Sequence, residues 1–362
     1  MVAPFFGEKT MRYIRLFIII FLLMSCSKEK RNAQYFENYH QFSTFSEERY
    51  AEIQPLMYEK FNLPPFYFTL ISNNYLIFEN SSNDKETMIW IYDINNDTII
   101  NKLGRQGQGE GEFLGIKFIN IDSNTLGIYD VTLCRIFYYS IDKLLSGFSK
   151  PDSIKKVSTD FGIPYFIQKI DSNRYVASGM FHPNRYAILD RNLSIISTHL
   201  PIPQKLLDLA NNKYTYSFYH SGIIYNDNLK RLTVGMKTYD MLQILNTDIE
   251  VVKSVHGPDH NFPDWTGKQK LYPEGYSPLT GSTHKIYGVY SGETPSTIND
   301  WIKSFGKNIH IFDWEGRPLK RIRTDYRMGN LTLSESQKRL YLVYYDEEYF
   351  RFGYIDLQED EI

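Results

Sequence analysis

The sequence predicts an all-β fold: a six-bladed β-propeller of four-stranded antiparallel blades, closed by an N-terminal strand in the last blade. Three observations predict it. Six segments repeat one strand grammar. A content of 29 Tyr and 24 Phe, with many Ile and Val, favours strands. No sustained apolar stripe recurs at the 3.6-residue period of a helix outside short loops.

Residues 1–25 read as a targeting signal rather than as fold. Arg12 and Arg15 form a positive n-region, Leu16 to Leu23 are apolar, and Met24-Ser25-Cys26 follow. This run is too short to span a bilayer, which takes ~20 apolar residues, and suits a secretory h-region of roughly 7–15. Met11 serves as a start equally well, since residues 1–10 add nothing to the signal. Leu23-Met24-Ser25-Cys26 resembles the lipobox of bacterial lipoproteins. That resemblance implies cleavage before Cys26 and diacylglycerol on its sulfur, hence a membrane-anchored lipoprotein of the cell envelope. The outer membrane is preferred, because Ser27 carries no retention signal of the enteric aspartate type. Cys26 and Cys134 are the two cysteines, so no disulfide framework competes for Cys26. Cys134 is then expected as a small hydrophobe buried in a strand. Residues 26–44 read as the lipidated cysteine and a polar tether, and residues 45–362 as the propeller.

The middle run of each unit recurs at 74–78, 124–130, 173–177, 230–234, 284–289 and 338–343. Each is followed by a third run, at 89–93, 135–139, 186–190, 242–246, 309–313 and 352–356, most ending in Asp or Asn. Alternation at period two predicts one core-facing side per run. The recurrence, roughly 43–67 residues, is near the ~40–50 of propeller blades. The run Gly104 to Phe113, with Glu112-Phe113, Ile116 and Ile121-Asp122-Ser123-Asn124 after its glycines, resembles an NHL-type repeat. With the lipobox, the chain resembles TolB-like six-bladed propeller lipoproteins of bacteria, a family with no assigned activity. The sixth unit stops after its third run near Leu357, and Tyr50-Ala51-Glu52-Ile53-Gln54 is expected to supply the missing outer strand.

The formal charge is −2, and the leader is itself net positive. No basic patch stands out, which argues against nucleic acid as a partner. Strand parity puts the second-to-third connections and the links between blades on one face, where the long segments 103–115, 200–216, 256–275 and 291–307 fall. Loops on a rigid scaffold carry function, so ligand-binding residues are expected there: Trp265, Tyr272, Tyr276 and Trp301 to stack on a sugar or peptide, with His256, His260 and Arg105 as polar groups. Each aromatic taken alone could instead pack its loop onto the propeller. Zinc needs ligands converging at ~2.0–2.3 Å, and Gly257-Pro258 breaks any one-face helical spacing of His256 and His260. They read as ordinary loop histidines, with no metal and no cofactor implied.

The Gly-rich run lacks the Gly-Lys-Ser/Thr ending of a phosphate loop and reads as a blade-connecting turn. No Gly-x-Ser-x-Gly elbow is present, and no catalytic residue is assigned. Glu347-Glu348 are expected as solvated loop carboxylates. Asp97-Thr98-Ile99 and Asp152-Ser153-Ile154 resemble an O-glycosylation pattern of some envelope proteins. The expected function is binding or scaffolding at the membrane, with a protein, peptide or glycan partner. The alternative is a metal-dependent lactonase- or lyase-like enzyme with a central-channel site. The inner-strand starts Phe66, Ile116, Tyr165, Phe218 and Tyr276, with Asn330 the exception, are too apolar for such a metal ring.

Overall fold

The computed structural model of the chain describes residues 36–57, 59–81, 86–202, 222–258, 273–297 and 300–362. Cys26 and the first half of the expected tether, through residue 35, lie outside them. The architecture is an all-β propeller built of four-stranded antiparallel blades. One blade comprises Phe68–Ile71, Tyr75–Glu79, Ile89–Asp93 and Thr98–Leu103. The next holds Lys117–Asp122, Thr125–Asp130, Arg135–Ser140 and Ser153–Lys156. A third holds Ile163–Lys169, Arg174–Phe181, Asn184–Asp190 and Ile195–Pro201. Ile223–Asn226, Arg231–Gly235, Met241–Asn246 and Val251–His256 follow, and Tyr39–Gln41 adds to the last of these in parallel. Apart from the short parallel pair Arg105–Gln106 and Glu112–Phe113, the remaining strands form one continuous eight-stranded sheet. In it the long strand Pro318–Ser334 pairs first with Gly306–Asp313 and then with Arg339–Tyr345.

The middle strands are buried on both sides, which the expectation of a single core-facing side did not foresee. In Tyr75–Glu79, Leu76 and Phe78 pack with Val343 and Phe352 of a neighbouring blade. Ile77, of opposite parity, packs with Leu126 and Ile128 of the other neighbour. Blades stacked face to face leave no solvent side in mid-blade, so the side-chain alternation sorts residues between two cores. Continuous apolar runs such as Ile89-Trp90-Ile91-Tyr92 follow from this.

The Asp or Asn that ends most third runs closes the turn into the outer strand. Asp93 Oδ1 accepts from the amides of Asn95 and Asn96 at 2.9 and 3.1 Å. Asp190 does the same for Asn192 and Ser194, Asn246 for Asp248 and Glu250, and Asp313 for Glu315 and Arg317. A short side chain that bonds the backbone two to four residues on stabilises such a tight turn.

In the Gly-rich link, Gly104 has φ +74° and a Cβ there would lie 2.5 Å from the Phe113 ring. Phe113 is fully buried and meets Phe137 edge-on at 4.7 Å. The link therefore folds tightly over an apolar plug, and Glu112 Oε2 accepts the amide of Gly109 at 2.8 Å.

Three sequence expectations need correction. Phe36 and Tyr39–Gln41 belong to the fold, so the segment expected as tether is partly structural. The segment around Tyr50 divides: Glu47–Tyr50 runs parallel to Lys320–Arg323, while Gln54–Pro55 pairs antiparallel with Tyr354 and Gly353. Cys134 is half-buried at the end of a turn, at φ +49° and outside any strand. Among the described residues no helix is long and apolar enough to cross a membrane.

Candidate functional site

A cavity of about 330 Å³ opens among the inner-strand starts and the connections above them. Its wall takes Phe66 and Tyr67 from the first blade, Lys117 from the second, and Tyr165 and Phe166 from the third. Lys237, the segment Glu274 to Pro278, Phe305 and Asn330 also line it.

Local structure explains the placement of Lys117. It is the first residue of Lys117–Asp122, pinned from above because Asp130 Oδ2 accepts the amide of Leu114 at 2.7 Å. In the neighbouring blade, pairing shifts between Pro164 and Phe166, leaving Tyr165 as the extra residue of a bulge. A bulge turns a backbone group away from the ladder, and the Tyr165 carbonyl accepts from Lys117 Nζ at 2.8 Å. The Phe166 ring covers the amine at 3.5 Å from its centroid, and the Tyr67 and Tyr165 rings stand at 5.3 and 5.8 Å. Lys117 is only 7 % exposed. Among the described residues it makes no ion pair. Burial drives its amine down to about 7.

Burial also shifts other titratable groups at or near the wall. Burial pushes Tyr67 up to about 12, with the charge of Glu79 adding to it. Burial raises Glu79 to about 7. Glu274 is raised by burial and drawn back by the charge of Lys237. Lys237 and Glu274 sit on crossing segments: the amide of Tyr276 donates to Met236 O at 2.9 Å, and a Cβ on Gly275 would lie 2.2 Å from Tyr239 O. The Tyr276 hydroxyl donates to Asp240 Oδ1 at 2.8 Å and meets His310 Nδ1 at 3.0 Å. His310 is fully buried and stacked on Tyr290, and burial with the nearby Arg321 holds it well below the usual histidine range. Asn330 Nδ2 donates to Phe66 O at 2.7 Å.

A family model of TolB-like 6-blade propeller-like proteins matches residues 44–336. The chain belongs to that family. The propeller is similar to a putative exported protein of Bacteroides fragilis, at TM-score 0.56 and 10 % identity over 89 % of this chain and 100 % of that one. It is also similar to a member of the DUF4221 family from Bacteroides vulgatus, at TM-score 0.56 and 12 % identity over 85 % and 96 % of the two chains. A luciferin-regenerating enzyme shares the fold at TM-score 0.50 and 8 % identity, over 85 % of this chain and 95 % of that one. At these identities the likeness concerns the fold alone. No curated protein matches the sequence.

Of the residues expected to bind, Tyr276 lines the cavity of the propeller. Trp301 stands one layer back: it stacks on Phe350 at 5.7 Å and meets Phe305, a cavity residue, edge-on at 5.9 Å. His256 is buried at the end of Val251–His256, its ring 5.9 Å from that of Tyr39, and is not part of the wall. A strand end covered by Tyr39–Gln41 takes it out of the loop class it was assigned to. Arg105 is exposed in the two-residue pairing with Glu112-Phe113 and is also outside the wall. His260, Trp265, Tyr272 and Phe218 lie outside the described residues.

Sequence reasoning missed Lys117, Lys237 and Glu274. Lys117 directly follows Ile116, and a lysine between Ile116 and Phe118 at an inner-strand start was the available signal. Among the described residues no three His, Cys, Asp or Glu side chains gather to hold a metal ion.

Proposed function

We propose that the chain is a binding module of the bacterial envelope, held at the membrane by lipid on Cys26, which takes its ligand at the mouth of the propeller channel. In this reading the eight-stranded sheet counts as two blades sharing Pro318–Ser334, giving a ring of six. Gln54–Pro55 serves as the outer strand that closes the last blade. The leader and lipobox support export, and the likeness to a putative exported protein accords with it.

The observation that carries the reading is the cavity itself. Its size, about 330 Å³, lies at the small end of ligand sites. Its aromatic wall suits one ring of a glycan or one side chain of a peptide or protein partner. Glu274 is the sole carboxylate among its described lining residues, which does not favour a metal-dependent enzyme of the channel.

A glycan and peptide array read with Tyr165→Ala and Phe166→Ala tests the site. Loss of every bound spot in both variants, at unchanged melting temperature, is expected; retention in both removes the cavity from the account. For the anchor, Cys26→Ser should move the protein from the membrane fraction to the soluble fraction of the envelope. A variant that stays with the membrane contradicts lipidation.

A further inference from the structure

Resting on the cavity reading above, we infer that the ligand is an organic carboxylate whose anion seats on Lys117 and whose apolar body lies against Phe66, Phe166 and Phe305. An ammonium carries three donors, and the described residues supply one oxygen, the Tyr165 carbonyl at 2.8 Å. The remaining surface of the group meets π faces rather than acceptors, the nearest being Phe166 at 3.5 Å. Aromatic faces favour the cation but do not neutralise it. Burying an amine without a counter-ion is costly, and the fold accepts that cost at the wall of an open cavity. A carboxylate there would fill the vacant donors with charge-assisted hydrogen bonds, strengthened by the low local dielectric.

The other titratable groups of the site set the charge of the ligand. Tyr67 and Tyr165 present ring faces to the amine, and the charge of Glu79 acts on Tyr67, whose hydroxyl burial raises to about 12. At the rim, burial raises the Glu274 carboxyl and the charge of Lys237 draws it back. Among the described residues Lys117 is the lining cation on which no carboxylate acts. It matches a monoanion, and Glu274 would oppose a phosphate dianion. The Tyr276 hydroxyl is already engaged by Asp240 and His310.

Burial holds the free amine near 7, so above that pH it is largely uncharged. A bound carboxylate favours the ammonium, and binding at pH 8 therefore takes up a proton.

The test is calorimetric titration of the purified full chain with benzoate and with benzyl alcohol, its neutral counterpart, at fixed ionic strength and in buffers of different ionisation enthalpy. Expected is benzoate binding at least about tenfold tighter than benzyl alcohol, equivalent to about 1.4 kcal/mol. Proton uptake should accompany benzoate and not the alcohol. Lys117→Met should lose the preference and Lys117→Arg should keep part of it. Equal affinity for the two probes, or binding of benzoate without proton uptake by the wild-type chain, overturns the inference while leaving the cavity as a site. If neither probe binds, the cavity reading fails with it. The wild-type comparison needs no variant to fold.

Discussion

Two buried charges in this propeller meet opposite fates. At the seam between Glu47–Tyr50 and the long strand Pro318–Ser334, Glu361 is 1 % exposed and fully answered. Arg49 grips both of its oxygens at 2.6 Å, and Lys320 approaches at 3.3 Å. Lys320 also reaches Asp360 at 2.8 Å and Glu47 at 3.1 Å, tying the N-terminal strand, the long strand and the C-terminus into one cluster. At the cavity, Lys117 is nearly as buried and has, among the described residues, one carbonyl and three rings but no carboxylate. Compensation marks the first charge as architecture. Its lack marks the second as a place prepared for something from outside.

The largest effect expected is at the seam. Glu361→Ala leaves Arg49 and Lys320 without their buried partner and should cost about 3–5 kcal/mol in urea unfolding. A loss below about 1 kcal/mol would mean the cluster is solvated and the contrast false. Gly275→Ala should cost about 1–3 kcal/mol through overpacking against backbone oxygens. It should also weaken benzoate binding by displacing the rim with Lys117 intact, which separates the shape of the cavity from its charge.

Burial alone would raise the Glu361 carboxyl, but the hydrogen bonds and charge of Arg49 prevail and hold it low. Its stabilisation is therefore present above the unfolded value of about 4.3 and lost as pH falls through the folded value. Lys117 works in the other direction. Its folded value near 7 lies below the unfolded ~10.4. The unfolded chain binds more protons in that window, so stability should rise with pH between them. Chemical unfolding at pH 7 and 9 should show that rise in the wild type and its absence in Lys117→Met. The smallest effect is in Lys117→Met itself at neutral pH: stability within about 1 kcal/mol of wild type, or above it, because an apolar chain of similar length replaces an uncompensated buried charge.

Much of the fold could be read from the residues because it is repetitive. Asp93, Asp190, Asn246 and Asp313 announce their turns by side-chain type and position, and Gly104 with Phe113 announces the link between blades. The site could be read only in part. Tyr276 is named by the face on which its segment emerges, whereas His256 looks like a loop residue until the partner strand Tyr39–Gln41 is seen to cover it. Lys117 was the hardest to find. Its meaning depends on a bulge at Tyr165 in another blade and on rings 50 residues away in either direction, from Tyr67 to Phe166, which no local pattern reports. The cost of burial is a property of the assembled wall.

That cost can be measured directly. Lysines of the purified chain are reductively methylated with ¹³C, which preserves their charge, and the Lys117 resonance, assigned by its loss in Lys117→Met, is followed through a pH titration. The account predicts a midpoint near 7, moving upward when benzoate is added. A midpoint close to the ordinary lysine value of ~10.4, unmoved by benzoate, would show that the amine is already compensated and would contradict it.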